Sequence, residues 1–232
     1  MSSKQQILSE KLKEKGLELG ASIVGIADVN QFDKAPEHHK PSDILKCAAA
    51  VISIGVAQPK AVIQHAMPSQ YTQSIFTTAA ILDQIASQLS LWIEEHGFEA
   101  IPVAARYLSM DALSGVFRGD LSHKHAAMLA GLGDLGVNTL LINPKYGNHL
   151  MLVSIVTNAP LQSDAPFAKL LCPRSECLKC VTACPVKAIS HSGEVDKIKC
   201  NKYSRRHSDI YFETWGLYFC RECRRVCPFP EF

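Results

Sequence analysis

Eight of the nine cysteines fall within the last 61 residues, in two runs that each close on Cys-Pro. Cys172, Cys177, Cys180 and Cys184 precede Pro185; Cys200, Cys220, Cys223 and Cys227 precede Pro228. Both runs end in C-x2-C-x3-C-P, as CLKCVTACP and CRECRRVCP. Thiolates at this spacing hold iron–sulfur cubanes, whose chemistry is one-electron transfer at low potential. A cubane offers four iron corners, and one tight loop reaches three of them. The fourth faces away, so the cysteine before each proline serves the other cluster. This logic groups Cys172, Cys177, Cys180 and Cys227 on one [4Fe-4S] cluster. It groups Cys184, Cys200, Cys220 and Cys223 on the second.

Other readings compete. Paired CxxC knuckles at Cys177/Cys180 and Cys220/Cys223 suit zinc, but zinc leaves four cysteines and both Cys-Pro pairs idle. Disulfides need an oxidising compartment, and no secretory signal precedes these cysteines. C-x4-C-x2-C at Cys172–Cys180 occurs in plant-type [2Fe-2S] sites, against which the twin tails argue. The first gap departs from the usual two residues, being four in one run and nineteen in the other. The cluster type is therefore better specified than the identity of each first ligand.

These cysteines need a body to serve. The chain has 232 residues and 47% hydrophobic content, enough for one substantial core and a small satellite. Its net charge of +2 is uneven: residues 172–232 carry +4 and residues 1–171 carry −2. Clusters with their thiolates are anionic, so Arg205, Arg206, Arg221, Arg224 and Arg225 are read as solvating and offsetting them. No apolar run spans a bilayer, and the N-terminus has neither an apolar h-region nor a twin arginine, so a cytoplasmic protein with no membrane partner is expected.

Amphipathic spacing predicts helices over 4–19 and 71–96, stopped by Gly20 and Gly97, and a short helix over 122–130. Apolar runs predict buried strands over 21–27, 47–57 and 100–103. TLLI (139–142) and HLMLVSIVT (149–157) flank a turn and predict a hairpin. Residues 28–43 and 107–121 read as irregular, and 160–171 as a linker. The expected fold class is α/β (α+β), with a mixed-sheet domain over 1–165 and a ferredoxin-like two-cluster domain over 166–232.

Gly131, Gly133 and Gly136 match G-x-G-x-x-G, but they follow a helix and lead into a strand, the wrong order for a dinucleotide. Such glycines let backbone approach other backbone or a flat cofactor. HKHAAMLAGLGDLGVNTLLINPKYG, then LVSIVTNAPL, then two Cys-Pro runs resemble the epoxyqueuosine reductase and reductive dehalogenase superfamily. The opening LGASIVGIADVNQFDKAPEHHKPSDIL resembles its short iron–sulfur members. The resemblance implies a nitroreductase-like domain that binds cobalamin, with Gly131, Gly133, Gly136, Asn138 and Thr139 against the corrinoid. A flavin is the second candidate. Where epoxyqueuosine reductases carry a D-S-A-P proton donor this chain reads PVAARYLSMD, so Tyr107 and Asp111 replace the donor by position, against a plain loop reading.

The chain stops five residues after Cys227, short of the extension those enzymes use on tRNA, so tRNA is not expected as a partner. A low-potential donor of ferredoxin or flavodoxin type and a small-molecule substrate are. The expected function is a reductase passing electrons through two clusters to a cofactor. The alternative is an electron carrier with no corrinoid of its own. Among the remaining residues, Cys47 reads as a core thiol. His123 and His125 read as capping or surface residues and Asp134 as a left-handed turn residue. Arg106 and Lys124 are candidate partners for an acidic ligand.

Overall fold

The computed structural model describes residues 3–106, 109–110, 117–204 and 220–229. The helices are α1 (Ser3–Glu18), α2 (Pro41–Ile44), α3 (Lys60–His65), α4 (Pro68–Glu95), α5 (His123–Leu129), α6 (Lys179–Thr182), α7 (Lys197–Ser204) and α8 (Glu222–Arg225). The strands are β1 (Ile23–Asp28), β2 (Ala50–Ala57), β3 (Ala100–Val103), β4 (Ser109–Met110), β5 (Phe117–Arg118), β6 (Asp134–Leu135), β7 (Leu141–Ile142) and β8 (Leu150–Thr157). Among the described residues no helix is long and apolar enough to cross a membrane.

Side chains alternate across a strand, so a strand apolar at every position must be covered on both faces. β2 and β8 are nearly so, apolar apart from Ser53, Ser154 and Thr157, and they lie at the centre of a four-stranded sheet of order β1-β2-β8-β3. Ile52, Ile54, Val153 and Ile155 point to one face, against Leu82, Ile85 and Leu89 of α4 and Leu12 of α1. Val51 and Val156 point to the other, against Ala126 of α5 and Ala130 just after it. Both long helices end at the expected glycines.

The α/β class stands as expected, but every pairing within the four-stranded sheet is antiparallel rather than mixed. The expected hairpin is also corrected. Its turn exists, with Asn143 and Gly147 exchanging backbone hydrogen bonds. However, β7 pairs with β6, while β8 lies between β2 and β3. The local turn was legible, whereas partner choice was set by which edges the core left open.

The 160–171 stretch is not a bare tether. Asp164 donates its N–H to the Ile26 carbonyl and accepts the Ile26 N–H on Oδ2 at 2.9 Å. It thereby satisfies backbone groups on the open edge of β1. Its other oxygen pairs with Lys13, and Gln162 donates to Ser9 Oγ at 2.7 Å.

Candidate iron–sulfur centre

Four cysteines from both runs line one open cleft: Cys172, Cys177, Cys180 and Cys227, with Val137 and Pro228 beside them. Local backbone explains how one loop presents three thiols. A 3-10 turn over Arg174–Glu176 separates Cys172 from Cys177. Leu178 takes a left-handed conformation (φ 45°) and reverses the chain before α6 brings Cys180 round. The second group assembles from farther apart. Cys200 rides on α7 and Cys223 on α8, and Cys220 and Cys184 lie close enough to Cys200 to act on its charge. The two groups adjoin, since Cys180 lies close enough to Cys223 to act on its charge.

Thiols this crowded resist ionisation. Burial first, then the neighbouring Cys172 and Cys227, pushes the Cys180 thiol up. Burial followed by Cys220 and Cys184 does the same at Cys200, and burial dominates at Cys227. Cys223 is pushed up to about 12, by burial and then by Cys220 and Cys200. Four thiolates brought this close need a cationic metal group between them, and the donor set fits a cubane. Among the described residues no three His, Cys, Asp or Glu side chains close around a single ion. Cubane ligands sit on separate iron corners and need no such closure.

The core grips both groups through residues that carry no metal chemistry. Arg224 is 8% exposed. Its guanidinium donates to Gln58 Oε1 at 2.5 Å and to the Leu150 carbonyl at 3.0 Å. Its own carbonyl accepts from Asn148 Nδ2 at 3.1 Å. Arg221 donates to the Ala66 carbonyl and lies over the Tyr71 ring, 5.1 Å from its centroid. These two arginines are therefore docking residues, which corrects their reading as solvated counter-charges. Exposed Arg225 is closer to that reading, paired at 2.7 Å with half-buried Glu222. Arg205 and Arg206 lie outside the described residues. Nothing local marks Gln58 or Asn148 as partners, because they stand 166 and 76 residues before Arg224.

The glycine turn follows α5 and contains β6, with Gly131 and Gly133 before that strand and Gly136 just after it, in the helix-to-strand order expected. Gly131 (φ 74°) has its missing Cβ 2.6 Å from the Ala165 carbonyl. A Cβ on Gly133 would strike the Ile142 carbonyl, and one on Gly136 would meet Asn138 Oδ1 and Ile142. Asn138 Nδ2 donates to the Cys223 carbonyl at 3.1 Å. Thr139 accepts from Lys124 Nζ at 2.9 Å. Protein backbone thus meets Gly131 and Gly133, whereas Gly136 and Asn138 line the cysteine cleft. Burial, then Lys197, lowers Lys124 to about 8. Asp134 is not left-handed; its carboxylate accepts the backbone N–H groups of Leu171 and Cys172.

Tyr107 and Asp111 lie outside the described residues. Arg106 sits 4.3 Å over the Phe76 ring. Cys47 is exposed and donates to Glu99 Oε2 at 3.0 Å, which corrects the core reading: β2 begins three residues later, at Ala50. His125 Nδ1 lies 2.7 Å from Ser122 Oγ, a side-chain contact within the first turn of α5 and not a cap on its backbone. His123 instead ties α5 to the sheet, with Nδ1 2.9 Å from Ser154 Oγ and Nε2 3.1 Å from the Ala104 carbonyl.

A family model described as a 4Fe-4S double cluster binding domain matches residues 175–230, so this chain carries an iron–sulfur cluster-binding domain. The chain is 28% identical to the epoxyqueuosine reductase of Lactococcus garvieae over 203 residues, 84% of this chain and 56% of that one. It is 24% identical to the Bacillus subtilis epoxyqueuosine reductase, covering 95% of this chain and 63% of that one. It thus spans less than two thirds of these relatives' length. Among solved structures, an epoxyqueuosine reductase from Streptococcus thermophilus superposes with TM-score 0.70 at 20% identity, over 97% of this chain and 66% of that one. A reductive dehalogenase described with a mechanism for B12-dependent dehalogenation gives 0.74 at 22% identity, over 97% and 32%. The resemblance to this superfamily stands, in sequence with the reductases and in fold with both groups.

One expectation is overturned. A further structural neighbour is an epoxyqueuosine reductase bound to an epoxyqueuosine-modified tRNA-Tyr stem loop (TM-score 0.65, 20% identity, 96% of this chain and 65% of that one). The exclusion of tRNA rested on where the chain stops, and that is no ground for excluding it when a structural neighbour is seen with a tRNA stem loop.

Proposed function

We propose that this chain, similar to epoxyqueuosine reductases, is a cytoplasmic iron–sulfur oxidoreductase whose reducible substrate is carried on tRNA. Two [4Fe-4S] clusters would deliver single electrons to an acceptor on the N-terminal domain. Cys172, Cys177, Cys180 and Cys227 would hold one, and Cys184, Cys200, Cys220 and Cys223 the other. The observation that carries the reading is the convergence of cysteines from both runs into two adjoining groups. The clusters supply low-potential electrons. The chain's own residues anchor the cages to the sheet through Arg224, Asn148 and Asn138. Tyr107 and Asp111 are the proposed proton donors, to be tested as Tyr107→Phe and Asp111→Asn.

Reconstitution without oxygen should give about eight iron and eight sulfide per chain, two four-iron cubanes, with a visible band that bleaches on reduction. Stoichiometric zinc instead would sink the reading. The acceptor is tested by titrating cob(II)alamin and FMN into the loaded protein. The B12-dependent neighbour supports a corrinoid. The protein-facing Gly131 and Gly133 favour the second reading, an electron carrier. If neither ligand binds tighter than about 100 μM, roughly −5.5 kcal/mol, the carrier reading replaces the first. Retention of a modified tRNA stem loop by the loaded protein tests the substrate class.

A further inference from the structure

We propose that Asp134 is a positioning residue that fixes Cys172 and keeps the first cluster hard to reduce. This rests on the ligand assignment proposed above for Cys172, Cys177, Cys180 and Cys227. Asp134 opens β6 and is 7% exposed. Its Oδ2 accepts two successive backbone N–H groups, from Leu171 at 3.1 Å and from Cys172 at 3.4 Å. Its Oδ1 lies 3.8 Å from Arg174 Nη2, and Arg174 also donates to the Leu135 carbonyl at 3.4 Å. Cys172 precedes the matched cluster-binding stretch, which begins at residue 175. The core therefore holds this cysteine from outside that module, through a carboxylate in the glycine turn.

Two physical effects follow, both of one sign. Backbone N–H groups near a cubane raise its potential when they donate to the sulfurs. Here the amides of Leu171 and Cys172 are spent on a carboxylate. The carboxylate's charge also opposes the arrival of an electron. At an effective dielectric of about 20, a unit charge within about 12 Å changes the reduced-to-oxidised ratio about tenfold. For one electron that is about 59 mV. Arg174 stands on the solvent side of Asp134 and offsets part of this.

The experiment is a redox titration of the anaerobically reconstituted full chain, followed by electron paramagnetic resonance. The signal lost in Cys227→Ser marks the first cluster. Asp134→Asn keeps an acceptor and removes the charge. At a fixed potential it should raise that cluster's reduced-to-oxidised ratio about tenfold with iron content unchanged. Arg174→Gln should shift the ratio the opposite way, and Asp134→Ala should shed first-cluster iron faster on exposure to a chelator. A loaded Asp134→Asn protein with an unshifted ratio overturns the proposal and leaves the cluster reading intact. If Asp134→Asn does not load, Arg174→Gln decides, and no shift there overturns it. Wild-type protein that takes up no iron overturns the cluster reading and this proposal together.

Discussion

Replacing Arg224 by methionine should loosen the second cysteine group from the sheet while leaving the sheet folded. Methionine keeps most of the apolar stem and removes both guanidinium donors. Gln58 Oε1 and the Leu150 carbonyl then lose their donors in a buried setting. Each stranded acceptor costs about 1–3 kcal/mol. Part is returned because a charge no longer has to be buried. The net loss is about 2–3 kcal/mol, a factor of about 30 or more in the equilibrium between docked and released states. The assay is urea unfolding of the cluster-loaded protein, read by cluster absorbance and by far-UV circular dichroism. Absorbance should be lost at lower urea, with the helical signal shifted less. Gln58→Leu in the Arg224→Met background should recover part of the loss, because it removes one stranded acceptor. A change below about 0.5 kcal/mol, as for an ordinary surface substitution, would refute the reasoning, as would strict additivity of the two substitutions.

Cys184→Ser should damage the cluster sharing Cys200, Cys220 and Cys223, and Cys227→Ser the cluster beside Cys172; spectra of each variant showing loss of the sequence-adjacent cluster would refute the exchange. Gly133→Ala should cost about 3 kcal/mol whatever ligand is present, because its Cβ meets the Ile142 carbonyl; a melting temperature close to wild type would contradict this. Burial lowers His123 below its ordinary 6.5, so the unfolded chain takes up the proton first as pH falls. Stability is then full above about pH 6.5 and declines below it, at up to about 1.4 kcal/mol per pH unit for each such group. Burial pulls His125 and His149 the same way, so His123→Asn should reduce the acid slope rather than abolish it, and an unchanged slope would count against the assignment.

The sequence by itself determined whatever depends on neighbours within a few residues. The twin C-x2-C-x3-C-P tails pointed to the kind of metal group, since ligand spacing on one loop is a local matter. The two long helices and their glycine stops, and the central strands, followed from apolar periodicity and turn chemistry. Tertiary structure alone decided the rest. β8 could not be assigned its place between β2 and β3 from its own residues, because a strand apolar on both faces states that it is central and not whose neighbour it is. Asp134 reads locally as a turn residue, and only the fold carries Leu171 and Cys172 to its carboxylate. Arg224 looks like one more basic residue in CRECRRVCP until Gln58 and Leu150, far back in the chain, arrive to satisfy its guanidinium. The glycines of AGLGDLG signal a close approach without saying to what, and the fold supplies Ala165 and Ile142. A local pattern states what a residue requires; long-range packing decides which partner meets the requirement, because a buried polar group must find one and the chain reaches it only by folding.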